Sequence, residues 1–96
     1  MKESHSIYWT IEAEKTYIDT LAFILKRWTI KEATHFELLT EELLKQLSTN
    51  LKLCPEIKKL NIRKCVVSEQ TSLIYRIQSQ SIELIAFIDN RSQHRY

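Results

Sequence analysis

The chain has no glycine and a single proline, Pro55, among its 96 residues. The first absence excludes several nucleotide-handling motifs together. A Walker loop, a dinucleotide fingerprint and a nucleophile elbow each need glycine where the backbone turns tightly or approaches a phosphate. Nucleotide-cofactor enzymes are not expected on this ground, and no cofactor is implied. Cysteine is scarce as well. Cys54 and Cys65 lie eleven positions apart without CxxC spacing, so they suggest neither a disulfide framework nor a zinc site, and each reads as a core thiol. His5, His35 and His94 are scattered with no metal-ligand spacing, so no metal site is expected. Long apolar runs are missing too. The longest uninterrupted stretches, 21–25 and 84–88, are far too short to span a bilayer. The first residues lead into no apolar signal segment, and a cytoplasmic protein without a membrane partner is the expectation.

What is present describes a small folded unit. Hydrophobic residues make up 44% and charged residues 27%, with Trp, Tyr and Phe all represented, a balance unlike that of disordered chains. The length suits one domain, residues 1–96. Net charge is +2 but uneven. Residues 1–50 hold six Lys or Arg against eight Asp or Glu, and residues 51–96 hold eight against four. A basic second half suits an anionic partner such as nucleic acid or an acidic protein segment, and equally a solvated lysine-rich face.

Residues 6–11 alternate apolar and polar, the period of a short strand. Thr10 then caps a helix whose first turn carries Glu12 and Glu14, with Ala13, Tyr17, Leu21, Ile24, Leu25 and Trp28 as its apolar stripe. Thr29-Ile30-Lys31-Glu32 has the form of a capping box and starts a second helix without a gap. Its stripe is Ala33, Phe36, Leu43, Leu44, Leu47 and Leu51, with Thr40 as a polar interruption, and Asn50 offers a left-handed end. Helices so closely joined fold back as a hairpin. A connection over 51–61 carries Pro55 and the pair Lys58 and Lys59. Beyond it the period changes to two, giving strands over 62–67, 73–78 and 82–88 with turns at 68–71 and 79–80. The expected fold is α+β: β-α-α-β-β-β, a helical hairpin packed on a mostly antiparallel four-stranded sheet.

This order resembles one family at particular residues. The opening strand with Trp9-Thr10 runs into a helix bearing Ala13. A hairpin strand follows, Leu73-Ile74-Tyr75-Arg76-Ile77, and the chain closes on Ile85-Ala86-Phe87-Ile88-Asp89-Asn90-Arg91. Together they are similar to the RelE/ParE superfamily, the toxins of type II toxin–antitoxin modules, also called plasmid stabilisation proteins. The resemblance covers roughly residues 6 to 92. It implies a growth-inhibiting toxin held silent in a hetero-oligomer by a cognate antitoxin, whose disordered C-terminal segment folds onto the toxin. In the RelE branch the toxin cleaves mRNA in the ribosomal A site. In the ParE branch it inhibits DNA gyrase. A shared fold does not choose between them.

Metal-free RNA cleavage needs groups that take a proton from the 2′-hydroxyl, stabilise the phosphorane and protonate the leaving oxygen. The RelE-like resemblance assigns this region to Lys58, Lys59, Arg63 and Lys64, with Arg91 as the trailing arginine and Tyr96 near the tail tyrosine. Lys64, Arg91 and Tyr96 are the candidates for catalysis. Lys58, Lys59, Arg63, Arg76 and Arg91 are the candidates for target contact. The family's hairpin arginine is absent, because Thr71-Ser72 stands there. Arg76 shares a face with Ser72 and Ile74 but lies about 13 Å along the strand, too far to replace it. Plainer readings stand beside these: solvated loop lysines, an ordinary strand arginine at Arg76, a strand-closing salt bridge between Arg91 and Asp89, and a core position for Tyr75. The incomplete set favours ParE-like action on DNA gyrase. A RelE-like ribosome-dependent ribonuclease is the alternative, and a non-toxic small interaction domain a further one.

Overall fold

The structure, a computed structural model, describes residues 4–57 and 60–91. Seven elements follow in order: β1 (Ile7–Trp9), α1 (Ile11–Arg27), α2 (Ile30–Thr49), β2 (Glu56–Ile57), β3 (Ile62–Val66), β4 (Thr71–Gln78) and β5 (Ser81–Asp89). The sheet runs β1-β5-β4-β3-β2, with β1 parallel to β5 and the other neighbours antiparallel. The α+β class and the helical hairpin on a mostly antiparallel sheet agree with the expectation from sequence. The strand count is five rather than four.

The additional strand lies in the connection taken as irregular. Asn61 adopts φ 56°, a left-handed conformation that asparagine tolerates better than most residues, and reverses the chain so that Glu56 pairs with Arg63 and Ile57 with Ile62. Continuing that register sets Cys54 opposite Cys65. The two form a disulfide with Cα atoms 5.3 Å apart, which corrects the reading of two separate core thiols. The second reversal, between β4 and β5, uses Ser79 at φ 55°, a position where glycine would be the usual choice.

Each helix start follows its sequence signal. The Thr10 hydroxyl accepts the Ala13 N–H at 3.0 Å and donates to the Leu84 carbonyl at 2.8 Å, so the cap also ties α1 to β5. At α2 the Glu32 carboxylate accepts the Thr29 N–H at 3.1 Å and the Thr29 hydroxyl. That hydroxyl, first among the causes, holds the Glu32 carboxyl below its ordinary pKa. Asn50 does not end α2 in a left-handed turn; its φ is −146°.

The core lies between the hairpin and one sheet face, where Leu73, Tyr75, Leu84 and Phe87 meet Ala13, Phe36 and Leu47. Trp9, Tyr17, Phe36 and Phe87 form a connected ring cluster, with centroids 5.1 Å apart for Tyr17 and Phe87 and 5.8 Å for Trp9 and Phe87. Edge-on and offset aromatic contacts of this kind add to area burial. Thr40 is buried inside α2 and satisfies its hydroxyl on the Phe36 carbonyl at 2.9 Å, so the polar interruption costs no unpaired group. Leu25 and Trp28 depart from the expected stripe and remain substantially exposed.

One arrangement was not foreseen. β1 accompanies β5 only from Ile82 to Leu84, which leaves the outer edge of β5 without a strand beyond that point. α1 supplies the missing partners. Thr10 donates to the Leu84 and Ile85 carbonyls, and the Thr16 hydroxyl accepts the Phe87 N–H at 2.9 Å. Two helix threonines thus satisfy backbone groups that would otherwise form an open edge.

Candidate functional site

Alternation along β4 divides the site candidates between two faces. Leu73, Tyr75 and Ile77 pack toward the helices, so Tyr75 is core as its plainer reading held. Ser72, Ile74 and Arg76 face the other way. Lys64 pairs with Ile74 and is half-buried, which puts it on this open face, diagonal to Arg76 at about 7–8 Å between backbones. One row of the sheet there reads Tyr8, Glu83, Arg76, since Tyr8 pairs with Glu83 and Glu83 with Arg76. The Arg76 guanidinium is engaged by the Glu83 carboxylate, with Nε donating at 2.8 Å.

Arg63 belongs to the helix side. Its Nη1 donates to the Cys54 carbonyl at 2.6 Å. The Tyr75 hydroxyl donates to the Leu51 carbonyl at 2.7 Å and accepts the Cys54 N–H at 3.4 Å. Together with the disulfide these bonds fasten the 51–55 connection to the sheet. Burial, the largest cause, raises the Tyr75 phenol above its ordinary pKa, partly offset by the Cys54 N–H and Arg63.

At Ser72, where the family resemblance would place an arginine, the side chain is fully buried and donates to Asn90 Oδ1 at 2.6 Å. Asn90 also binds the β3–β4 turn through its N–H to the Gln70 carbonyl at 2.8 Å and Nδ2 to the Glu69 carbonyl at 3.3 Å. This position therefore serves as a turn clasp, and nothing basic replaces the missing arginine there.

Arg91, just past β5, folds back on Asp89. Its N–H donates to Asp89 Oδ1 at 2.8 Å and its Nη2 lies 3.1 Å from Oδ2. The hydrogen bonds, then the carboxylate charge, raise its pKa further. Arg91 lines a cavity of about 270 Å³ with Thr16, Thr20, Phe23 and Asp89, away from Lys64 and Arg76 on the open face. A neighbouring cavity of about 350 Å³, lined by Trp28, Glu32, His35 and Leu39, shares Ile24, Ser68 and Gln70 with the first. The two make a trough between the hairpin's closed end and the β3–β4 turn, with half-exposed Phe23 and Trp28 at its rim and the Arg27 guanidinium 5.5 Å from the Phe23 ring centre. The sequence reading did not single out this trough, whose walls come from three separate segments.

Lys58, Lys59, His94 and Tyr96 lie outside the described residues. Of the remaining candidates, Lys64 and Arg76 come together, while Arg63 and Arg91 are placed apart from them and from each other. Among the described residues no cluster of three His, Cys, Asp or Glu could hold a metal ion, and no helix is long and apolar enough to cross a membrane.

No family model matches the chain, and no curated protein matches it by sequence. Solved structures do. A chain from the chromosomal ParDE TA system of P. aeruginosa is similar over 90% of this chain and 96% of its own, with a TM-score of 0.75 at 15% identity. The conserved hypothetical protein HP0894 of Helicobacter pylori is similar over 94% of this chain and 96% of its own, with a TM-score of 0.56 at 11% identity. The chain therefore has the RelE/ParE-like fold that its element order suggested.

Proposed function

We propose that this chain is the toxin of a type II toxin–antitoxin module, a single RelE/ParE-like unit acting in the cytoplasm and neutralised there by a cognate antitoxin in a hetero-oligomer. Its mode is binding, by ParE-like inhibition of DNA gyrase. The observation that carries the toxin reading is the similarity to a ParDE chain over nearly the full length of both. The internal engagement of Arg63, Arg76 and Arg91 favours binding over cleavage. Arg76 is committed to Glu83, Arg91 to Asp89 and Arg63 to the Cys54 carbonyl, and Ser72 is sealed under Asn90. Phosphoryl transfer needs several cationic donors aimed at one point, and these side chains point to three. Arg91, with Arg76 and Lys64 on the other face, then serves as a target contact. Lys58 and Lys59 extend the basic connection that Arg63 anchors.

Purified chain added to DNA gyrase should inhibit supercoiling, and a two- to threefold molar excess (about that range for a submicromolar complex) of the antitoxin should relieve it. Unimpaired supercoiling, combined with cleavage of ribosome-bound mRNA within codons, would instead establish the ribonuclease reading.

A further inference from the structure

The outer face of α1 is built unlike a solvated helix face. Ile11, Ile18 and Leu25 recur every seven residues and are 84%, 63% and 49% exposed. Seven residues bring a helix back to within about 20° of the same direction, so the three side chains form one line. Ala13, Thr20 and Ile24, which look toward the sheet, lie on the opposite side of the helix. Exposed Ala22 and Lys15 complete the line. On a face with no partner, positions 11, 18 and 25 would be expected to be polar.

The charges beside this line identify the partner. Glu12, Lys15, Asp19 and Lys26 all fall on the same flank of it, 40–100° round the helix by the 100° step per residue. We propose that α1 pairs with α1 of a second copy of this chain, antiparallel, about a two-fold axis at Ile18. Ile18 then meets its own copy, and Ile11 meets Leu25 of the second copy. The flank becomes self-complementary. Glu12 faces Lys26 and Lys15 faces Asp19 across the interface, each pair offset by about 3 Å along the axis, within reach of the side chains. A parallel two-fold pairing would carry this flank to opposite sides of the interface, so neither the Glu12–Lys26 nor the Lys15–Asp19 pair could form. The acidic first turn and basic last turn of α1 thus select the antiparallel arrangement. A two-fold contact uses the same patch on both copies, as this one does. The inference does not depend on the toxin reading, because self-association is measured without any activity.

Sedimentation of the purified full chain over a micromolar concentration series tests it. The chain should form a dimer, and Ile18→Lys should weaken the dimer by at least about tenfold while leaving the circular dichroism unchanged. Glu12→Lys alone should weaken it, and Glu12→Lys with Lys26→Glu should restore it. These two residues are too far apart on one helix to interact, so rescue reports only contact between copies. A monomer at every concentration overturns the proposal. So does a dimer indifferent to Ile18→Lys, or a double reversal no better than the single one.

Discussion

At the scale of single residues, the structure gives most polar groups of interest a structural partner, and this separates stability from function. Tyr75 joins two backbone segments through one hydroxyl. Tyr75→Phe keeps the ring and removes both bonds, and should cost about 1–3 kcal/mol in denaturant unfolding. Tyr75 and Tyr17 both have raised phenol pKa values, in each case chiefly through burial, with Glu37 and Glu41 adding to the effect at Tyr17. A raised folded-state pKa holds the proton more tightly than the unfolded chain does. The associated stability is complete below the ordinary tyrosine value of about 10 and falls as pH rises through the raised values. A stability–pH profile should show this alkaline loss, and it should shrink in Tyr75→Phe. Arg91 makes the opposite case. Its pair with Asp89 is exposed and so contributes little; Arg91→Ala should leave the unfolding midpoint essentially unchanged yet weaken growth arrest. Unchanged arrest would remove Arg91 from the target contacts.

At the scale of elements, what the sequence revealed depended on whether the signal was local. Both helix starts were legible because Thr10 and the Thr29–Glu32 pair act within one turn. The β4–β5 register was legible next to its turn, though not the shift between Ile74 and Tyr75. A turn at 79–80 already implies Arg76 opposite Glu83, and this is the ion pair found. β2 was not legible, since a two-residue strand has no periodicity and exists only because Asn61 turns the chain back. The disulfide disappeared from view with it. The Thr16 contact was invisible for a different reason: its partner, Phe87, lies 71 residues away. Thr16→Val, similar in shape but unable to accept, should leave that N–H unpaired and cost about 1–3 kcal/mol. The disulfide closes a short loop, and its reduction should cost about 3 kcal/mol on the loop-entropy account, seen as a lower melting temperature with reductant. With the disulfide reduced, Arg63, Tyr75 and the Lys64 N–H to the Pro55 carbonyl are left to hold the connection, so combining reduction with Tyr75→Phe should cost more than the two separate losses added together.

At the scale of the whole molecule, the order of elements and the residues around Trp9, Leu73 and Asp89 were enough to suggest a fold that the solved structures share. The candidate site was only partly legible. Sequence spacing placed Arg76 on one face with Ser72 and Ile74, but it could not show that Lys64 joins that face, that Arg91 turns toward α1, or the trough formed by the hairpin end and the β3–β4 turn. Those depend on how three segments meet, which no local pattern encodes. Arg63, Arg76 and Arg91 are dispersed and each is bonded within the chain, which supports the proposed binding mode over a phosphoryl-transfer centre. The most direct measurement is tightly regulated expression of the chain in a bacterium, with DNA and protein synthesis followed by pulse labelling in the first minutes. The account predicts that DNA synthesis falls first and that the antitoxin prevents the fall. Protein synthesis falling first, with new transcript ends inside codons, would contradict it.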